Sequence, residues 1–162
     1  MTASEDNKAI IGWREWVALP DLKIPAIKAK IDTGARTSAL HAFDIEVFKV
    51  KNRKKVRFGI HPMQKNTSIV CYCEADVKEQ RMVKDSGGHS EQRYIIHTTL
   101  SWANKLWPIE VNLTRRDNMK FRILLGRSAL QGRFLIDLDR SYLAGRYLAK
   151  AYRRLKTGGR KH

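Results

Sequence analysis

The chain has 162 residues, room for one compact domain rather than two, and its 43% apolar fraction is sufficient for a core. Its 32 Lys and Arg against 16 Asp and Glu give a formal charge of +16, which draws polyanions to the surface: RNA, ribosomes, anionic membranes or acidic peptides. No run is long enough to cross a bilayer, residues 1–8 lack a secretory pattern, and Cys71 and Cys73, on one face of one strand, exclude a disulfide scaffold. The expected compartment is the cytoplasm, with no membrane partner.

Residues 1–9 read as a flexible N-terminus, followed by a domain over 10–140 and a basic helical tail over 141–162. Residues 10–19 have strand character, stopped by Pro20-Asp21. Residues 24–32 alternate, with Ile27, Ala29 and Ile31 on one face and Lys28 and Lys30 on the other. Further runs rich in Val, Ile, Tyr, Phe, Trp and Thr follow at 37–42, 43–50, 55–61, 67–77, 93–102 and 105–113. Short strands at this spacing predict an all-β barrel or sandwich. Residues 84–92, KDSGGHSEQ, are too polar and glycine-rich for a strand core and read as a hairpin tip or loop. Residues 128–132 read as one helical turn closed by Gly132. From Ser141 on, Ala144, Tyr147, Leu148, Ala151 and Leu155 recur at helical spacing, with Asp139 or Ser141 as the cap.

The chemistry concentrates in Asp32-Thr33-Gly34-Ala35, at the end of an alternating strand. Two carboxylates brought within a few ångströms cannot both ionise, so the pair holds one proton over a wide pH range. One member then takes a proton from water while the other polarises a carbonyl. Gly34 permits a tight turn, and Thr33 offers a hydroxyl to brace it from the neighbouring half of a site.

Apolar-x-Asp-Thr-Gly-Ala resembles the active-site signature of retropepsin-like aspartic peptidases, and ILLGRSALQ at 123–131 resembles their second element, an apolar-apolar-Gly-Arg segment leading into a short helix. KIDTGARTSALHA, RDNMKFRILLGRSAL and GRFLIDLDRSYL are similar to the bacterial retropepsin-like family often labelled ATP-dependent zinc proteases, a resemblance running from about residue 11 to 143. It implies a small closed β-barrel with one catalytic aspartate per chain, completed as a homodimer. By that resemblance Asp32 is catalytic, Thr33 the bracing hydroxyl, Gly34 the turn, and Ala35 a residue lining substrate backbone. It also implies a functional link to a glutamate ligase of the ATP-grasp type, so that removal of glutamate tails becomes a plausible task. The basic charge fits an acidic protein or peptide substrate independently.

Viral retropepsins commonly carry Asp where this chain has Arg36, and that Asp pairs with the arginine of the Gly-Arg segment, here Arg127. Two arginines cannot neutralise each other. Either another carboxylate intervenes (Asp137, Asp117 or Glu110) or one arginine faces the substrate, as Arg is suited to a carboxylate. Arg36, with Lys30 and Arg127, is the expected substrate-binding set.

Asp85-Ser86-Gly87 also spells a peptidase triplet, but Lys84 precedes it and the apolar delivery strand is missing. Ser86, Gly87 and Gly88 are expected to form a flap over the cleft. No His-Glu-x-x-His occurs, Cys71-x-Cys73 lacks zinc spacing, and His41, His61, His89 and His97 are scattered. The phosphate-loop and Gly-x-Ser-x-Gly motifs are absent, so neither metal nor cofactor is expected. The non-catalytic alternative is a basic binding module on the same scaffold. It would contact RNA or the ribosome through the tail and Tyr142, Tyr147 and Tyr152, with the four tryptophans as core or interface residues.

Overall fold

The computed structural model describes residues 8–85, 87–116 and 119–152. Eleven strands and one helical turn build it: β1 (Ala9–Gly12), β2 (Arg14–Leu19), β3 (Ile24–Ile31), β4 (Ser38–His41), β5 (Phe43–Val50), β6 (Arg53–Ile60), β7 (Cys71–Lys84), β8 (Ser90–Trp102), β9 (Lys105–Thr114), β10 (Ile123–Leu125), α1 (Arg127–Leu130) and β11 (Phe134–Asp137). The expected all-β architecture is what the chain adopts. None of the described helices is long and apolar enough to cross a membrane.

Six strands run in the order β2-β3-β10-β4-β9-β8, and a bridge between Ala18 and Ser101 joins β8 back to β2, closing the circuit. Closure removes the open edges a flat sheet would leave. Inside lie Val17, Leu19, Ile27, Leu40, Ile96, Leu100, Val111, Ile123 and Leu125, all fully buried. The alternation in β3 works as its sequence demands: Ile27 and Ala29 are buried and Ile31 packs on the core, while Lys30 is exposed. Beyond the circuit, β5, β6 and the first half of β7 form an antiparallel meander that adds Val56, Phe58, Ile60 and Cys73 to the same core.

The polar stretch 84–92 is the hairpin end that its composition predicts, with a shorter tip: β7 and β8 stay paired out to Lys84 and Ser90. Ladder hydrogen bonds hold these arms, so neither arm needs an apolar face of its own. The segment from Ser141 does not form an α-helix within the described residues. Tyr142 and Gly145 take left-handed backbone angles, and only Tyr147–Lys150 coils, as a 3-10 turn. Tertiary bonds override the helical spacing. Tyr142 N–H donates to Arg14 O (3.0 Å), and Leu143 N–H to the Glu15 carboxylate (3.0 Å). The buried Tyr152 hydroxyl bonds both backbone groups of Ala26. Ser141 Oγ accepts from Arg14 rather than capping, and it is Asp137 that receives a backbone N–H, from Asp139. Leu155 and the last basic residues lie outside the described residues.

Candidate active site

Asp32 follows β3 directly, and its position is set by a strand distant in sequence. β10 lies between β3, which it pairs in parallel, and β4, which it pairs antiparallel. The Asp32 N–H donates to Leu125 O at 2.8 Å, and the Ala35 N–H returns to Asp32 O at 3.2 Å, closing the turn. Gly126 N–H donates to Ser38 Oγ (3.1 Å), Arg127 N–H to Ala35 O (2.8 Å) and Ser128 N–H to Arg36 O (2.9 Å). The Asp-Thr-Gly and Leu-Leu-Gly-Arg words are thereby laced together bond by bond. Gly126 is required by closeness: a Cβ there would sit 2.7 Å from the Thr37 carbonyl carbon and 2.8 Å from its oxygen.

The turn's own glycine acts differently from the expectation. Gly34 has no left-handed backbone angle; a Cβ there would lie 3.4 Å from Asp32 Oδ1, so its bareness keeps space beside the carboxylate. Thr33 is exposed. The Arg127 guanidinium donates to Thr33 O at 2.7 Å, so this arginine braces the turn. Glu110 is engaged elsewhere, by Arg81, Lys78 and His97, and Asp137 by the backbone of Asp139. Neither neutralises Arg36 or Arg127; Asp117 lies outside the described residues.

In front of Asp32 is a cavity of about 270 Å³. The turn contributes Asp32, Gly34 and Ala35 to its wall; the β7–β8 hairpin contributes Val83, Lys84 and Asp85. Thr37, Arg93 of β8, Asn112 of β9 and Arg116 complete the polar lining. The hairpin therefore shares the cavity wall with the carboxylate, and Gly87 and Gly88 are exposed at its tip; Ser86 lies outside the described residues. Of the expected substrate-binding residues, Ala35 borders this cavity, whereas Lys30, Arg36 and Arg127 do not.

Asp85 is held by its own loop. Its Oδ1 accepts the N–H groups of His89 and Gly87, both at 2.9 Å. The His89 bond above all, with the charges of His89 and Arg116 in support, keeps its carboxyl below the usual carboxylate range. A carboxylate so occupied is a turn brace and a poor proton acceptor. Thiol chemistry is equally disfavoured: desolvation pushes the Cys73 thiol up to about 12, and burial also raises Cys71. Among the described residues no group of three or more His, Cys, Asp or Glu is placed to hold a metal. The histidines are dispersed: His61 stacks on Phe43, His97 meets Glu110, His89 meets Asp85 and His41 is buried.

Sequence reasoning missed Arg93, Asn112, Arg116 and Lys84. One signal was present for Arg93: it shares strand parity with buried Ile95, so an arginine stands on a covered face of β8, opposite the face that carries Ile96 and Leu100 into the core. Asn112 sits among Val111, Leu113 and Thr114, all buried, so alternation gives no phase there.

A closed β-circuit whose Asp-Thr-Gly turn is locked to a Leu-Leu-Gly-Arg strand, with a long hairpin lining the same cavity, defines a retropepsin-like chain. The family described as RimB-like, retropepsin-like aspartic endopeptidase RimB, matches residues 10–147, and the chain belongs to it. It is 46% identical over 132 residues to a protein of Shewanella pealeana named probable alpha-L-glutamate ligase, a match covering 82% of this chain and 29% of that one. A Parasynechococcus marenigrum protein of the same name is 47% identical over 131 residues, covering 81% and 28%. The chain thus spans under a third of these relatives. Among solved structures, a protein of unknown function from Legionella pneumophila, Lpg0085, superposes with a TM-score of 0.70 at 26% identity, covering 84% of this chain and 98% of that one.

Proposed function

We propose that this chain is an aspartic-type amide hydrolase in which Asp32 meets its counterpart from a second copy, and that it cleaves an acidic, glutamate-tailed protein or peptide. The observation that carries this reading is Asp32 itself, held by backbone bonds at the mouth of a cation-lined cavity that a hairpin also lines. One carboxylate takes a proton from water as the oxygen attacks the amide carbon, and the protonated partner gives its hydrogen to the carbonyl oxygen. Collapse of the tetrahedral species breaks the C–N bond, and the leaving nitrogen takes up a proton. The chemistry requires neither metal nor cofactor. In the paired state Thr33 would brace the opposite turn, and exposed Arg36 would hold an acidic segment beyond the cavity.

The substrate class is supported by the charge of +16 and by relatives named probable alpha-L-glutamate ligase, in which this domain is part of a longer chain. A hydrolase that removes what a ligase adds is a coherent partner for one. The test compares Asp32→Asn with Asp85→Asn on a glutamate-tailed protein. Asp32→Asn is expected to lose about 10²- to 10⁴-fold in turnover, with Asp85→Asn retaining cleavage. Full activity in Asp32→Asn would end the proposal.

The RNA-binding reading draws on the cations around Tyr142, with Arg14 at 5.1 Å, Arg146 at 4.5 Å and Lys28 at 5.7 Å from its ring centre, and on Tyr147, which is 63% exposed. The cations are directed at the Tyr142 ring, which would itself have to stack on a base, and Tyr152, Trp16, Trp102 and Trp107 are buried. Tight RNA binding with a steep salt slope and no amide cleavage would favour it nonetheless.

A further inference from the structure

We infer that Arg93 is the residue that reads a substrate carboxylate beside Asp32, making the cavity selective for an acidic side chain over its neutral amide. The inference rests on the hydrolase reading for its substrate, and it replaces Lys30, Arg36 and Arg127 as the primary recognition set.

Arg93 is only 6% exposed, yet it borders the same cavity as Asp32. Its guanidinium is aimed by two bonds: Nε–H donates to Glu91 Oε1 at 2.6 Å, and Nη1–H to Asn112 Oδ1 at 3.0 Å. A guanidinium has five N–H donors, and these bonds use two. The remainder suits a carboxylate, which can take two parallel N–H bonds from one guanidinium. Glu91 offers incomplete neutralisation, since its side chain is 52% exposed and water competes for it.

The rest of the lining points the same way. Lys84 and Arg116 add two cations, while the negative groups are Asp32 and Asp85. Asp85 is already satisfied by the backbone of its own loop. An entering carboxylate therefore meets an excess of donors. A glutamine in its place leaves a largely buried arginine short of a partner, the circumstance in which polar sites discriminate strongly. Lys84 is exposed and Arg116 partly so, which makes them screened contributors; Arg93, anchored within a strand, is the pre-organised fork.

The experiment measures binding of an oligoglutamate peptide and its oligoglutamine counterpart to the full chain carrying Asp32→Asn, with and without Arg93→Gln. The Asp32→Asn chain is expected to prefer oligoglutamate by tenfold or more, and Arg93→Gln to bring that ratio near one. An undiminished ratio in a folded Arg93→Gln chain, or no preference at the outset, overturns the inference. Should Arg93→Gln fail to fold, Arg93→Lys keeps a charge against Glu91 without the fork. Its ratio is then expected to fall several-fold, and an unchanged ratio again overturns the inference. The two readings separate cleanly. Arg93-dependent preference in a chain that cleaves nothing defeats the hydrolase alone; Asp32-dependent cleavage with Arg93-independent preference defeats Arg93 alone.

Discussion

Glu15 has no exposed surface and ties three distant parts of the chain together. Its carboxylate accepts from Gly12 N–H at 2.8 Å, Leu143 N–H at 3.0 Å and Trp102 Nε1–H at 3.0 Å. Stabilisation comes less from any single bond than from what its loss would strand. Glu15→Ala leaves buried donors unanswered and is expected to cost about 3 kcal/mol or more in urea unfolding, with Glu15→Gln milder because one oxygen acceptor survives. Asp85 makes the same kind of bond in the open. Its folded pKa lies below the ordinary carboxylate value, so its contribution is complete above that value and disappears as pH falls through the folded one. An NMR titration of the Gly87 and His89 amides should show both shifting together, with a midpoint below the usual carboxylate range. Asp85→Asn should abolish the step.

At the scale of elements, the decisive feature is a three-residue strand. β10 has too few residues to persist alone, yet it positions the Asp32 turn because β3 and β4 clasp it from both sides. Gly126, at its end, meets the backbone of residues 36 and 37, which cannot swing aside as a flexible side chain would. Gly126→Ala is therefore expected to destabilise the chain by about 1–3 kcal/mol and to displace the Asp32 turn. Urea unfolding measures the first effect, and a disproportionate fall in turnover among the molecules still folded measures the second. The hairpin is the other telling element. Its glycine-rich centre was legible as a tip, but the strand pairing of its flanks was not, because cross-strand bonds are invisible to a composition argument. The tail failed in the opposite direction. A helical period was present in residues 144–151, but bonds to Arg14, Glu15 and Ala26 fixed a different backbone.

The whole molecule presents one Asp-Thr-Gly turn held by one Leu-Leu-Gly-Arg strand, so the proposed dyad requires two chains. Specific activity is then expected to fall on dilution through the dimer dissociation constant, with sedimentation velocity locating the same transition. Mixing in Asp32→Asn chains should suppress wild-type activity beyond simple dilution, since each mixed pair carries one carboxylate. A stable, fully active monomer would refute the shared site. The formal charge of +16 acts at this scale too: encounter with an acidic peptide should slow as salt is raised, reflecting long-range attraction that salt screens.

Local sequence was enough to set the strand-rich class, the inward face of β3, the helical turn closed by Gly132 and the two words around Asp32 and Gly126. Each depends on neighbours a few residues apart, where alternation, turn chemistry and motif spacing operate. The cavity was settled only by tertiary structure. Arg93, Asn112, Lys84 and Arg116 come from three strands and a connecting segment, and nothing in their spacing announces a common wall. Arg127 likewise became a brace for the Thr33 turn, because folding brings its fork to a backbone carbonyl. Local interactions are written along the chain; the partner of a charge is chosen by which strands close into one circuit.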